Sequence, residues 1–233
     1  MILSIIMPVL NEADTIEAAL RALAPLRARG VEVIVADGGS SDDTPALARP
    51  LADRVFAAPR GRAMQMTTGA AAASGDALMF LHADTRLPED ADLLVLDALR
   101  AGHRWGRFDV RFDAGESFAL IAWMMNLRSC LTGIATGDQA MFMTRDAFAR
   151  AGGFPPIALM EDIALSARLK RLARPVCLHA RVTTAARRWR QHGTLRTVLL
   201  MWRLRLGYFF GADPTKLAQR YGYAPTKFND SKS

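Results

Sequence analysis

The stretch Val31-Glu32-Val33-Ile34-Val35-Ala36-Asp37-Gly38-Gly39-Ser40-Ser41-Asp42-Asp43-Thr44 decides the fold. A short β-branched run, Val31 to Ala36, stops at a carboxylate, and two glycines then let the backbone turn tightly. Ser40 to Thr44 offer caps to a helix read over Asp42 to Ala48. The same strand–turn–helix order repeats on either side. Upstream, Ile2 to Val9 reads as a strand and Ala13 to Leu26 as a helix, with Asn11 near its start. Downstream come a strand over Arg54 to Ala57, a helix over Gly61 to Ala73 and a strand over Ala77 to Leu81. This alternation predicts an α/β fold with a mainly parallel central sheet covered by helices on both faces. Ligands of such sheets bind beyond the carboxyl ends of the strands. The polar clusters fall there: Asn11-Glu12, Asp37-Gly38-Gly39-Ser40 and His82-Ala83-Asp84.

The second half is less regular. Arg104 to Phe112 alternates like a strand, Phe118 to Leu131 reads as an apolar helix and Ala140 to Thr144 as a strand. Asp162 to Leu172 is an amphipathic helix, Val176 to His179 a last strand, and a Leu-, Trp- and Arg-rich helix starts at Thr194. The expected division is one domain over 1–190, with halves 1–100 and 101–190, and a helical extension over 191–233.

At 233 residues and 51% hydrophobic, the chain can bury the core of one large α/β domain. Its net charge of +7 attracts phosphates of several kinds. A nucleic-acid binder is disfavoured, because acidic residues gather at the predicted strand ends where a phosphate backbone would want cations. Cys130 and Cys177 lie far apart without metal-like spacing, so no disulfide and a reducing, cytoplasmic setting are expected. Met1 to Leu10 is apolar but has no basic flank or cleavage site and breaks at Pro8, Asn11 and Glu12, as a buried strand does. Val198 to Phe210 is interrupted by Arg203 and Arg205 and is short for a bilayer. Its Trp, Leu and Phe residues suit either a helix packed on its own domain or peripheral contact with the inner membrane face.

Each polar cluster has a structural and a chemical reading. Asp37 suits a turn carboxylate, or an acceptor for a nucleobase N–H. Asp84 suits a cap for the segment near Pro88, or a ligand for Mg²⁺ or Mn²⁺ that bridges diphosphate oxygens. Glu161 and Asp162 complement a helix dipole, or supply a general base that deprotonates an acceptor hydroxyl. Gly137-Asp138-Gln139 could line the acceptor side. Arg187 and Arg188, with Trp189, suit a solvated face or a phosphate clamp.

Taken together, these segments resemble family 2 glycosyltransferases, which have the GT-A fold. The matching stretches are Ile6 to Glu12, Val35 to Thr44, Leu81 to Thr85, Gly137-Asp138-Gln139, Gly152-Gly153-Phe154 and Glu161-Asp162, in family order across residues 2–190. Gly61-Arg62-Ala63-Met64-Gln65-Met66 and Phe80 to Thr85 further resemble a bacterial subgroup associated with radical-SAM/selenodomain proteins and arsenosugar biosynthesis. The resemblance implies an inverting hexosyl transfer from a nucleotide-diphosphate sugar to an acceptor it leaves open; Asp37, which suits uracil, favours UDP over GDP. By it, Pro8, Glu12, Asp37 and Gly38 serve the nucleoside, and Arg62, Arg187 and Arg188 the phosphates. Asp84 is the metal carboxylate, and Asp162 the catalytic base with Glu161 beside it. His82 stands where the family's Asp-x-Asp element has its first carboxylate, and Ala185 replaces the Gln of the processive synthases, which points to transfer of a single sugar.

Two other enzyme classes share a parallel sheet. A sugar nucleotidyltransferase would open with a basic Gly-rich loop, where this chain has Asn11-Glu12-Ala13-Asp14. A dehydrogenase would have Gly-x-Gly-x-x-Gly after the first strand, which is absent here.

Overall fold

The computed structural model describes residues 1–114, 118–186 and 193–223. Its first half is βαβ throughout: β1 (Leu3–Val9), α1 (Ala13–Ala22), α2 (Ala24–Ala28), β2 (Glu32–Asp37), α3 (Thr44–Ala48), β3 (Arg54–Ala57), α4 (Arg62–Ala72) and β4 (Ala77–Phe80). There follow β5 (Thr85–Arg86), α5 (Ala91–Arg100), β6 (Trp105–Phe112), α6 (Ala119–Thr132), β7 (Phe142–Thr144) and α7 (Arg145–Arg150). The described chain ends with α8 (Glu161–Leu172), β8 (Val176–Thr184), α9 (Thr194–Phe209) and α10 (Pro214–Arg220).

The strands form one sheet in the order β3-β2-β1-β4-β7-β6-β8-β5. β1 pairs in parallel with β2 and β4, β2 with β3, and β6 with β8. β7 runs against both β4 and β6, and β5 against β8. The sheet is therefore mainly parallel, as expected from the alternating elements. β1 is buried nearly throughout, and its side chains alternate between two cores as a doubly covered sheet requires. Leu3, Ile5, Met7 and Val9 join one core with Ile16 and Leu20 of α1 and Val95 of α5. Ile6 joins the opposite core with Met66 of α4, Phe80 and Leu165 of α8.

Three differences from the sequence reading have plain causes. The helix expected over Ala13 to Leu26 divides at Leu23, because Pro25 has no N–H to continue the ladder and sits in the first turn of α2. β8 runs on to Thr184 through His179 and Arg181, polar residues on its exposed side that broke the apolar run. Cys130 and Cys177 are joined in a disulfide, their Cα atoms 6.0 Å apart. α6 packs across β6, and β6 lies beside β8, so two cysteines separated by 47 residues meet. The expectation of unpaired cysteines is thereby corrected, and with it the argument for a reducing compartment.

Leu204 of α9 and Leu217 of α10 are buried against Met160, just ahead of α8. Among the described residues no helix is long and apolar enough to cross a membrane.

Candidate active site

Because β7 opposes β4, its first residues lie at the edge where β4 ends. The 3-10 turn Gly137–Gln139, just before β7, is thus brought against His82, just after β4. A Cβ at Gly137 would come within 2.5 Å of the His82 ring, so any other residue here would force the ring to move. Nδ1 of His82 lies 3.7 Å from Oδ1 of Asp138. Glu161 and Asp162 open α8 at the same edge. The Asp162 carboxylate accepts the Gly137 N–H at 2.9 Å through Oδ2 and the Ile163 N–H at 2.7 Å through Oδ1. These bonds hold the base candidate in one orientation.

A second tie shapes the β1 and β2 ends. Gln65, buried on α4, donates through Nε2 to the carbonyls of Val9 at 2.7 Å and Ala36 at 2.9 Å. Gly38 passes directly over this amide, where a Cβ would sit 3.0 Å from it.

Two cavities open along this edge. The smaller, about 150 Å³, is lined by Pro8, Leu10, Glu12, Gln65 and Asp84, with Tyr223 at one side. The larger, about 370 Å³, has an apolar wall including Met66, Met125, Met141 and Phe154. Asp138, Glu161 and Asp162 supply acids to it, and Arg128 and Arg205 supply cations. Arg62 and His82 line both, so they mark the seam between the two spaces.

The electrostatics follow from burial. Desolvation, reinforced by the nearby Arg62 cation, lowers the His82 pKa, so the ring is a neutral imidazole at pH 7. Desolvation and then the neighbouring Asp162 charge push Glu161 up to about 7. A carboxyl poised near neutrality suits proton transfer.

The structure brings Pro8, Glu12, Arg62 and Asp84 together at the smaller cavity, and Glu161 and Asp162 at the larger. Asp84 does not cap the helix after Pro88, since α5 begins at Ala91 with Asp90 as its flanking residue. Its only described side-chain partner is the Thr85 hydroxyl at 3.3 Å. Asp37 is buried, and its carboxylate is taken up by the N–H groups of Gly39 and Ser40 and by the Ser40 hydroxyl. Those bonds fit the turn reading, and Asp37 does not line the smaller cavity. Arg187 and Arg188 lie outside the described residues. Arg128, a charge inside an apolar helix, was not anticipated as a site residue.

The family model described as glycosyl transferase family 2 matches residues 4–150, well over half of the chain. The chain belongs to glycosyl transferase family 2. Its solved structural neighbours share the fold at low identity. Glucosyl-3-phosphoglycerate synthase from Mycobacterium tuberculosis, in complex with Mn²⁺, UDP and glucosyl-3-phosphoglycerate, is 20% identical with a TM-score of 0.62, covering 97% of this chain and 81% of that one. S. aureus TarS 1-349 in complex with UDP-GlcNAc is 16% identical with a TM-score of 0.64, covering 79% and 58%. A mycobacterial protein is 22% identical with a TM-score of 0.56, covering 78% of this chain and 64% of that one. This chain thus spans less than two thirds of the mycobacterial protein and of TarS. No curated protein sequence matches it.

The implied divalent cation is compatible with the residues present. Among the described residues no group of three or more His, Cys, Asp or Glu side chains converges as a protein-only metal cage. Asp84 nevertheless presents a carboxylate to the smaller cavity beside a neutral His82. Mg²⁺ and Mn²⁺ are commonly held this way, on one or two carboxylates with substrate phosphates completing the shell.

Proposed function

We propose that this family 2 member transfers one sugar, with inversion, from a nucleotide-diphosphate sugar in the smaller cavity to an acceptor in the larger. The observation that carries this reading is the seam: Arg62 and His82 face both spaces, and the carboxylates flank it on either side. UDP is favoured as the nucleotide, supported by neighbours of the same fold seen with UDP and UDP-GlcNAc.

In this mechanism Pro8 and Glu12 border the nucleoside, and Arg62 offers its guanidinium to the diphosphate. Asp37 and Gly38 shape the loop behind them. Arg187 and Arg188, by the family resemblance, add further phosphate contacts. A divalent cation held on Asp84 with the diphosphate oxygens would neutralise charge on the leaving group. Asp162, fixed by two backbone N–H groups, takes the proton from the acceptor hydroxyl as its oxygen attacks the sugar carbon. The bond from that carbon to the phosphate oxygen breaks, and its electron pair leaves with the nucleoside diphosphate. One displacement inverts the anomeric centre, so no covalent sugar–enzyme intermediate forms. Glu161 holds or releases a proton beside the base.

Within the family, residues 61–66 and 80–85 support membership of the bacterial arsenosugar-type subgroup. The location that goes with this reading is cytoplasmic, peripheral at the inner membrane face. Exposed Trp202, Leu206, Phe209 and Phe210 on or next to α9 support that contact.

Asp162→Asn tests the base assignment. Transfer should fall by roughly 10²-fold or more, the scale of general-base catalysis, with nucleotide affinity unchanged. Full turnover in the variant would remove Asp162 from the role.

A further inference from the structure

Two helices present the same motif to the larger cavity. On α6 it is Ile121, Met124, Met125 and Arg128; on α9 it is Val198, Met201, Trp202 and Arg205. Both follow the spacing i, i+3, i+4, i+7, which puts three apolar side chains and one arginine on a single helix face.

The arginines are short of partners. Among the described residues neither forms an ion pair with a carboxylate. Nη1 of Arg128 donates to the Ile134 carbonyl at 3.3 Å, while its buried Nη2 has no hydrogen-bond partner among the described residues. A buried guanidinium nitrogen left without an acceptor is costly, and the two cations repel each other while the carboxylates of Asp138, Glu161 and Asp162 line the same cavity without pairing to either. Burial, followed by the Arg205 charge, lowers the Arg128 pKa to about 10 against the opposing pull of the Asp162 carboxylate. An anion would relieve both costs.

The surroundings are apolar and lead outward. Met124 and Trp202 line the cavity and are also exposed, at 47% and 63%. Leu127 and Leu131 on α6, and Leu199 and Leu206 on α9, continue the exposed apolar surface.

We propose that the larger cavity binds an amphiphilic organic anion as acceptor, its phosphate- or carboxylate-type group anchored between Arg128 and Arg205 and its apolar body against the methionine-rich wall. The word acceptor rests on the glycosyltransferase reading above; the anion site does not.

Isothermal titration with decyl phosphate, decanol and inorganic phosphate, without nucleotide or metal, tests the site. Decyl phosphate should bind about tenfold or more tighter than either alternative, because it satisfies both the cations and the apolar wall. Arg128→Gln and Arg205→Gln should each bring its affinity toward that of decanol, with UDP binding unchanged. Decyl phosphate binding no better than decanol would overturn the anion site, and inorganic phosphate binding equally well would overturn the apolar body. Unchanged affinity in both variants would also sink the assignment, by placing the phosphate elsewhere. Loss of UDP binding in the native chain with the decyl phosphate preference intact would defeat the donor reading alone. Phosphatidylcholine vesicles carrying a long-chain alkyl phosphate separate the two sources. Co-sedimentation identifies a membrane-held acceptor, and binding of the short phosphate alone identifies a soluble one; both uphold the site.

Discussion

Gly137 and His82 lie so close that a side chain at the first would have to push the second aside: a Cβ at residue 137 would stand 2.5 Å from Cε1 of the ring and 2.6 Å from Nε2. The ring is also the wall between the two cavities, and the Gly137 N–H holds Asp162. A single close approach therefore couples the seam, the acceptor side and the base.

Gly137→Ala should accordingly displace His82. We expect a stability loss of about 1–3 kcal/mol, the usual cost of overpacking, together with a marked loss of transfer. In the Gly137→Ala/His82→Ala double variant, stability should recover relative to the sum of the two single changes. Urea denaturation of the four proteins checks this, and strict additivity would show that the ring and the turn are not in conflict.

Glu161 predicts a pH signature. Its folded pKa of about 7 lies above the ordinary 4.5, so the folded chain keeps a proton through a window where the unfolded chain releases it. Stability from this group is full below about 4.5, falls as pH rises through the window, and is lost above about 7. Glu161→Gln should leave Tm unchanged near the acid end of that window and raise it above pH 7, by roughly 10 °C for a chain of this size. Calorimetry at both ends measures it. A destabilised variant under basic conditions would mean that ionised Glu161 is held favourably by Arg62.

Asp84→Ala should remove the metal dependence of nucleotide binding. UDP affinity in the presence of Mn²⁺ should drop by about tenfold or more, the scale typical of impaired metal sites, while affinity without metal stays the same. Titration with and without Mn²⁺ decides it, and equal Mn²⁺ enhancement in both proteins would take the cation away from Asp84.

How much was legible in the sequence depended on where each element sits in the sheet. β1, β2 and β4 are buried on both faces, and such strands announce themselves as unbroken apolar runs. The polar ends of those strands pointed to the edge where the two cavities open. β5 has two residues, too few to carry any period, and its pairing with Thr183 and Thr184 is wholly tertiary. The disulfide was invisible because helix-on-sheet packing, not spacing, brings Cys130 to Cys177. At Asp37 the turn and nucleobase readings used the same residue types; the structure gives its carboxylate to the loop that follows it. Arg128 did leave a trace, as the only charge between Phe118 and Leu131, but its kinship with Arg205 appears only when α6 and α9 face one cavity.

The most direct test of the central claim is a thermal-shift panel of UDP, GDP and CDP, each with and without Mn²⁺. A ligand at a hundredfold excess over its Kd stabilises the folded chain by about 2.7 kcal/mol. The account predicts a Mn²⁺-dependent rise in Tm with UDP, larger than with GDP or CDP. No shift with any nucleotide, with or without Mn²⁺, would contradict it and leave a family 2 fold without a working donor site.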